Sequence, residues 1–126
     1  MPVYHCTLPP ALLDDARRSQ IANDITRIHC DKTGAPPHFA HVLFVDAAAG
    51  AAPVVLGSIR AGRPAALRAE MAAAMAEAVA RSLGVEAGRV QVQLLEVPAA
   101  WVMEGGAVMP EPGDEAEWLA RHGSAH

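Results

Sequence analysis

Hydrophobic positions along this chain switch twice between a two-residue and a helical period. Val3-Tyr4-His5-Cys6-Thr7 reads as a short strand closed by Pro9-Pro10. A helical stripe then begins with Leu13, Ala16, Ile21, Ile25 and Ile28, while Asp14, Asp15, Arg17, Arg18, Asp24 and Arg27 take the wet side. Gly34 and Pro36-Pro37 stop that helix, and His41-Val42-Leu43-Phe44-Val45 resumes as a strand. The sequence then repeats itself in kind. Pro53 to Ile59 predicts a third strand, Pro64 stands at the first position of a second helix, and Leu67, Met71, Met75, Val79 and Leu83 recur about one turn apart. Gly84 caps that helix, and the alternation Val90-Gln91-Val92-Gln93-Leu94 predicts the fourth strand.

Two strand-helix-strand units, about 2–46 and 53–96, predict an α+β fold in one domain over 1–126: a four-stranded sheet with both helices on one face. A chain this short has no third layer to spare, so the other sheet face is expected to pack on sister subunits. The tail, 97–126, carries Gly105-Gly106, Pro110-Glu111-Pro112-Gly113 and a polar segment with Trp118 and Leu119; it is expected to reach onto a neighbour.

Composition narrows the partners. The chain has 126 residues, 52% hydrophobic and 19% charged, which is the balance of an ordered globular protein. A formal charge of −4 leaves no basic footprint for nucleic acid or for an anionic membrane surface. No apolar run reaches membrane-span length and the start lacks a signal-peptide layout, so a cytoplasmic protein is expected. Cys6 and Cys30 sit in regular elements without metal spacing and read as buried reduced thiols.

The candidate chemistry begins at the start of the chain. Removal of Met1 would leave Pro2 with a secondary amine, and an α-amino group titrates near about 7.7–8, within reach of neutral pH. His29 lies one turn beyond Ile25 and two beyond Ile21, so it faces the core. Arg60 and Arg63 bracket Gly62 at the end of the third strand, where their guanidinium forks suit a carboxylate. Glu104 is an acid within an apolar, turn-rich stretch and is suited to orienting water. His5, His38 and His41 do not form a metal set, and no glycine pattern cradles a phosphate, so neither metal nor nucleotide cofactor is expected.

A proline after Met1, the two strand-helix-strand halves, His29 late in the first helix, Arg60-Ala61-Gly62-Arg63, Glu104, and the tail from Glu96-Val97-Pro98-Ala99 to Glu117-Trp118 together resemble the tautomerase superfamily. Within it the likeness is to the cis-3-chloroacrylic acid dehalogenases, and it covers nearly the whole chain. The resemblance implies trimers and no cofactor. It implies Pro2 as catalytic amine, Arg60 and Arg63 as a carboxylate clamp, His29 as a further substrate contact, and Glu104 as water activator. Gln93 stands where those dehalogenases have a tyrosine that assists the glutamate. It hydrogen-bonds but offers no phenolic proton.

Two reactions of small carboxylates follow, according to the charge on Pro2. A neutral amine would move a proton beside the carbonyl of a 2-oxo acid, and a charged one would protonate carbon as water adds to an unsaturated acid. A non-catalytic trimeric binding protein of the same fold is the alternative to either.

Overall fold

The computed structural model describes residues 1–122; the last positions of the expected tail, 123–126, lie outside the described residues. Strand β1 (Val3–Leu8) is followed by a 3₁₀ turn at Pro10–Leu12, helix α1 (Asp15–Thr33), a second 3₁₀ turn at Pro37–Phe39 and strand β2 (His41–Asp46). The second half gives β3 (Val54–Arg60), α2 (Ala65–Leu83) and β4 (Gln91–Val97). Asp14 ends up as the N-cap of α1, its carboxylate accepting from Arg17 N at 2.7 Å. Gly34 and Gly84 terminate the two helices at φ 76° and 71°, a left-handed conformation that glycine adopts without a Cβ clash.

The sheet order is β2-β1-β3-β4, with β1 parallel to β2, β3 parallel to β4, and the two central strands antiparallel. Both long helices pack on one face. Ile21, Ile25 and Ile28 of α1 and Met71, Met75 and Val79 of α2 meet Tyr4, Cys6, Leu8, Val55 and Ile59 in one core. The expected stripe is corrected at its start: Ala16, in the first turn of α1, is exposed, and the buried face of the helix begins at Ile21. Pro64 is the N-cap of α2, one residue earlier than expected, in an extended conformation (ψ 148°). Cys6 is fully buried, whereas Cys30 is only half-buried on α1.

The opposite sheet face carries Leu43, Val45 and Leu95, each about half exposed in the single chain. In the single chain the tail folds back on its own subunit. It forms a small hairpin, β5 (Met103–Glu104) and β6 (Ala107–Val108), and helix α3 (Glu115–His122). Trp118 and Met109 close a second apolar cluster with Phe39, and the Trp118 indole donates to Val108 O at 2.7 Å. That cluster supplies the apolar burial that docks α3 on its own subunit.

Gly57 decides how the core meets the future site. It pairs with Tyr4 across β1 and β3, and a Cβ there would lie 2.5 Å from the Tyr4 ring and 2.9 Å from Leu94. The bare backbone makes room for the phenol. Gly57→Ala is therefore expected to displace the Tyr4 ring and to destabilise the fold by about 1–3 kcal/mol. Urea denaturation checks this, and an unchanged midpoint would show that the ring has room to move.

Candidate active site

The antiparallel register Val3↔Ser58 carries on to bring Met1 and Pro2 to the end of β3, beside Arg60. Pro2 is fully buried, and its carbonyl accepts from His41 N at 3.0 Å. The Met1 amine contacts the Glu104 carboxylate from the tail hairpin, and His41 Nε2 lies 3.6 Å from the other Glu104 oxygen. Burial, and after it the charge of Arg60, push this amine down to about 5, against the pull of the carboxylate beside it. The start of β1 is thus a place where an amine is held near neutrality.

His29 is 1% exposed and faces the sheet, as its place in the helical stripe predicts. Its Nδ1 lies 2.7 Å from the Tyr4 hydroxyl, and the two rings meet edge to face at 5.7 Å. Its Nε2 is buried without a partner. Burial, then the charges of Arg63, Arg60 and the amino terminus, lower its pKa to about 3, so the ring is neutral throughout the physiological range. The same burial pushes the Tyr4 phenol up, and it stays protonated.

Neither arginine is a surface residue. Arg60 is 2% exposed and Arg63 7%. Arg60 Nη2 donates to Glu115 Oε2 at 2.7 Å, Nη1 donates to Pro110 O, and the guanidinium stands 5.7 Å from the centre of the Phe39 ring. Its fork is engaged by the tail. Arg63 differs: Nη1 donates to Arg60 O at 3.2 Å, while Nη2 is buried and has no partner. Among the described residues, His29 Nε2 and Arg63 Nη2 are the buried side-chain polar atoms left unsatisfied. Such atoms are rare in folded proteins and mark a place for a ligand or water.

Pro2, His29, Arg60, Arg63 and Glu104 therefore gather at one end of the sheet. Gln93 does not join them in the single chain: it lies on the exposed face of β4, opposite Leu56 in mid-sheet. Sequence reasoning missed Tyr4 and Glu115. Tyr4 was open to discovery, since a strand places residues two apart on one face and so aligns it with Pro2. Glu115 carried no local signal, because its partner lies 55 positions away. A separate open cleft of about 590 Å³, lined by Pro9, Leu12, Pro53, Val85 and Arg89 among others, lies at the far end of the sheet and contains none of these groups.

The neutral state of His29 has a measurable consequence. Its folded pKa lies below the unfolded value, so its contribution is present above about pH 6.5 and is lost as pH falls toward about 3. The urea midpoint of the wild type is expected to fall between pH 6.5 and 4.5, and His29→Gln is expected to flatten that segment. A His29 imidazole that titrates near 6.5 by NMR would contradict the assignment.

Comparison with known proteins shows the family and the fold. Residues 1–96 match the family model described as putative oxalocrotonate tautomerase enzyme. The crystal structure of N1, a member of the cis-3-chloroacrylic acid dehalogenase family, is 29% identical with a TM-score of 0.88, over 94% of this chain and 90% of that one. Native Ps01740 is 34% identical with a TM-score of 0.73, over 81% of this chain and 99% of that one. A fused 4-OT wild-type asymmetric trimer shares the fold at 24% identity and a TM-score of 0.75, over 84% and 94% of the two chains. Comparison with curated proteins finds no match. With three quarters of its length matched and the two-unit sheet shared, the chain belongs to the tautomerase family, near the cis-3-chloroacrylic acid dehalogenases.

Proposed function

We propose that the protein is an enzyme of short 2-oxo or unsaturated carboxylates, with Pro2, freed by loss of Met1, as the proton-transferring amine. The observation that carries this reading is that Arg63 Nη2 and His29 Nε2 are buried without partners, with the Arg63 charge acting on the His29 ring. A carboxylate offers two acceptor oxygens and a negative charge, which is what these atoms lack. A Tyr4 hydroxyl that donates to Nδ1 leaves the ring proton of neutral His29 on Nε2, as a donor to the ligand.

In keto-enol tautomerisation, neutral Pro2 takes a proton from the carbon next to the carbonyl. The C–H electrons form the C=C bond, and the carbonyl electrons move onto oxygen, next to the carboxylate that Arg63 and His29 hold. The proton is then returned, to oxygen or to carbon. Burial and Arg60, which lower the amine one residue earlier, favour the neutral form this needs. Arg60, engaged with Glu115 and Pro110 O, leaves Arg63 as the arm of the expected clamp with a free donor.

A second reading has its own support. Glu104 touches the terminal amine and is half-buried, so it could hold Pro2 protonated and activate water for addition to an unsaturated acid, with halide loss where the attacked carbon bears one. Gln93, apart from Glu104 in the single chain, supplies no phenol to that step. The exposed Leu43, Val45 and Leu95 fit a homotrimer, the assembly of the fused 4-OT neighbour, and the proposed substrate partner needs neither nucleic acid nor membrane. Among the described residues no helix is long and apolar enough to cross a membrane.

Intact-mass measurement is expected to find the chain beginning at Pro2, and processed protein to tautomerise phenylpyruvate. Pro2→Ala should lose most of the activity while keeping the unfolding midpoint, and processed protein without turnover would refute the reading. Arg63→Ala should raise KM by about 10- to 100-fold, the worth of roughly 1.5–3 kcal/mol in a charge-assisted contact. Chloride release from cis-3-chloroacrylate separates the two reactions: it is expected to be slow, to be abolished by Glu104→Gln, and to rise in Gln93→Tyr. Release that is fast and indifferent to Glu104→Gln would remove Glu104 from the chemistry.

A further inference from the structure

Three guanidiniums meet where β3 passes into α2, and two of them are already paired within the protein. Arg60 is bound by Glu115 at 2.7 Å, and Arg68 lies 3.2 Å from Glu96. Arg63 is the third. Among the described residues it has no carboxylate within ion-pair distance, its Nη2 is unsatisfied, and its charge acts on the buried His29 ring, whose Nε2 is unsatisfied too.

The Glu115 pair is built and closed. Glu115 is 8% exposed; one oxygen takes Arg60 Nη2 and the other accepts from Gly113 N at 2.9 Å. The second Nη of Arg60 is spent on Pro110 O. All these partners of Arg60 come from one tail segment, so the tail supplies to Arg60 the carboxylate that a ligand would otherwise bring.

We propose that Glu115 is a specificity-determining positioning residue, which by neutralising Arg60 restricts the site to ligands bearing a single carboxylate. The inference rests on the reading of the site as a carboxylate site. One carboxylate satisfies Arg63 and His29. A second, on the same ligand, finds Arg60 occupied and enters a buried region already holding the Glu115 and Glu104 carboxylates, where an unpaired charge is strongly disfavoured. Removing the charge of Glu115 reverses this, because Arg60 becomes a buried cation without a counter-ion and the second carboxylate supplies one.

Crotonate and fumarate test the proposal, since they share a trans four-carbon skeleton and differ in a methyl against a carboxylate. Titration calorimetry on protein beginning at Pro2 is expected to give wild type at least tenfold tighter for crotonate. Glu115→Gln should shift the ratio toward fumarate by tenfold or more. The double variant Arg60→Met, Glu115→Gln, which removes both charges, should return the preference for crotonate.

A ratio unmoved by Glu115→Gln, whether both affinities persist or both fall together, overturns the role of Glu115, because a merely structural contact changes the two ligands alike. If the single variant does not fold, the double variant decides, and fumarate bound as tightly as crotonate by it overturns the proposal. Binding of neither acid to wild type overturns the carboxylate reading itself, which distinguishes the two failures.

Discussion

The antiparallel pairing of β1 with β3 is the constraint on which this molecule turns. Each half of the chain is a strand-helix-strand unit with a parallel pair, and within the sheet the central ladder joins the units. Because that ladder runs antiparallel, the beginning of one strand meets the end of the other. Pro2 arrives beside the Arg60–Arg63 stretch without any loop to carry it there. A parallel centre would have separated the amine from the arginines by the length of the strands, roughly 20 Å at the usual rise per residue.

Burying so much positive charge at that junction has to be balanced, and the tail does it. Burial alone would push the Glu115 carboxyl up, but the hydrogen bond from Arg60, the backbone N–H groups and the Arg60 charge outweigh it and hold it below the usual range. Burial, then repulsion from Arg60, lowers the Arg63 pKa. A buried ion pair of this sort contributes little net stability relative to an apolar pair of equal size; its effect is to place charge. Here it places the end of β3, the tail helix and the Phe39–Trp118 cluster in one arrangement around the amine.

Gly57, Tyr4 and His29 do the same for the inner side. A glycine in mid-strand lets a phenol lie flat against the sheet, and the phenol orients an imidazole that α1 has already turned inward. The core and the candidate site share these side chains, so a packing defect at Gly57 reaches the His29 ring through Tyr4.

Much of this was legible in the sequence because the signals are local. Helix stops at Gly34 and Gly84 follow from the absence of a Cβ, the alternation of β4 from the two-residue period, and the inward placement of His29 from helical spacing after Ile25. Those features need only neighbours within a few residues. The register of β1 on β3, the return of the tail onto its own chain, and the capture of Arg60 by Glu115 depend on residues tens of positions apart, with no periodic trace of their partnership. The sequence by itself determined which elements form and which of their side chains turn inward, since backbone sterics and side-chain periods act locally. Tertiary structure alone decided which arginine is occupied and which is free, because that rests on the balance of charges gathered in a buried space and not on the order in which they are strung.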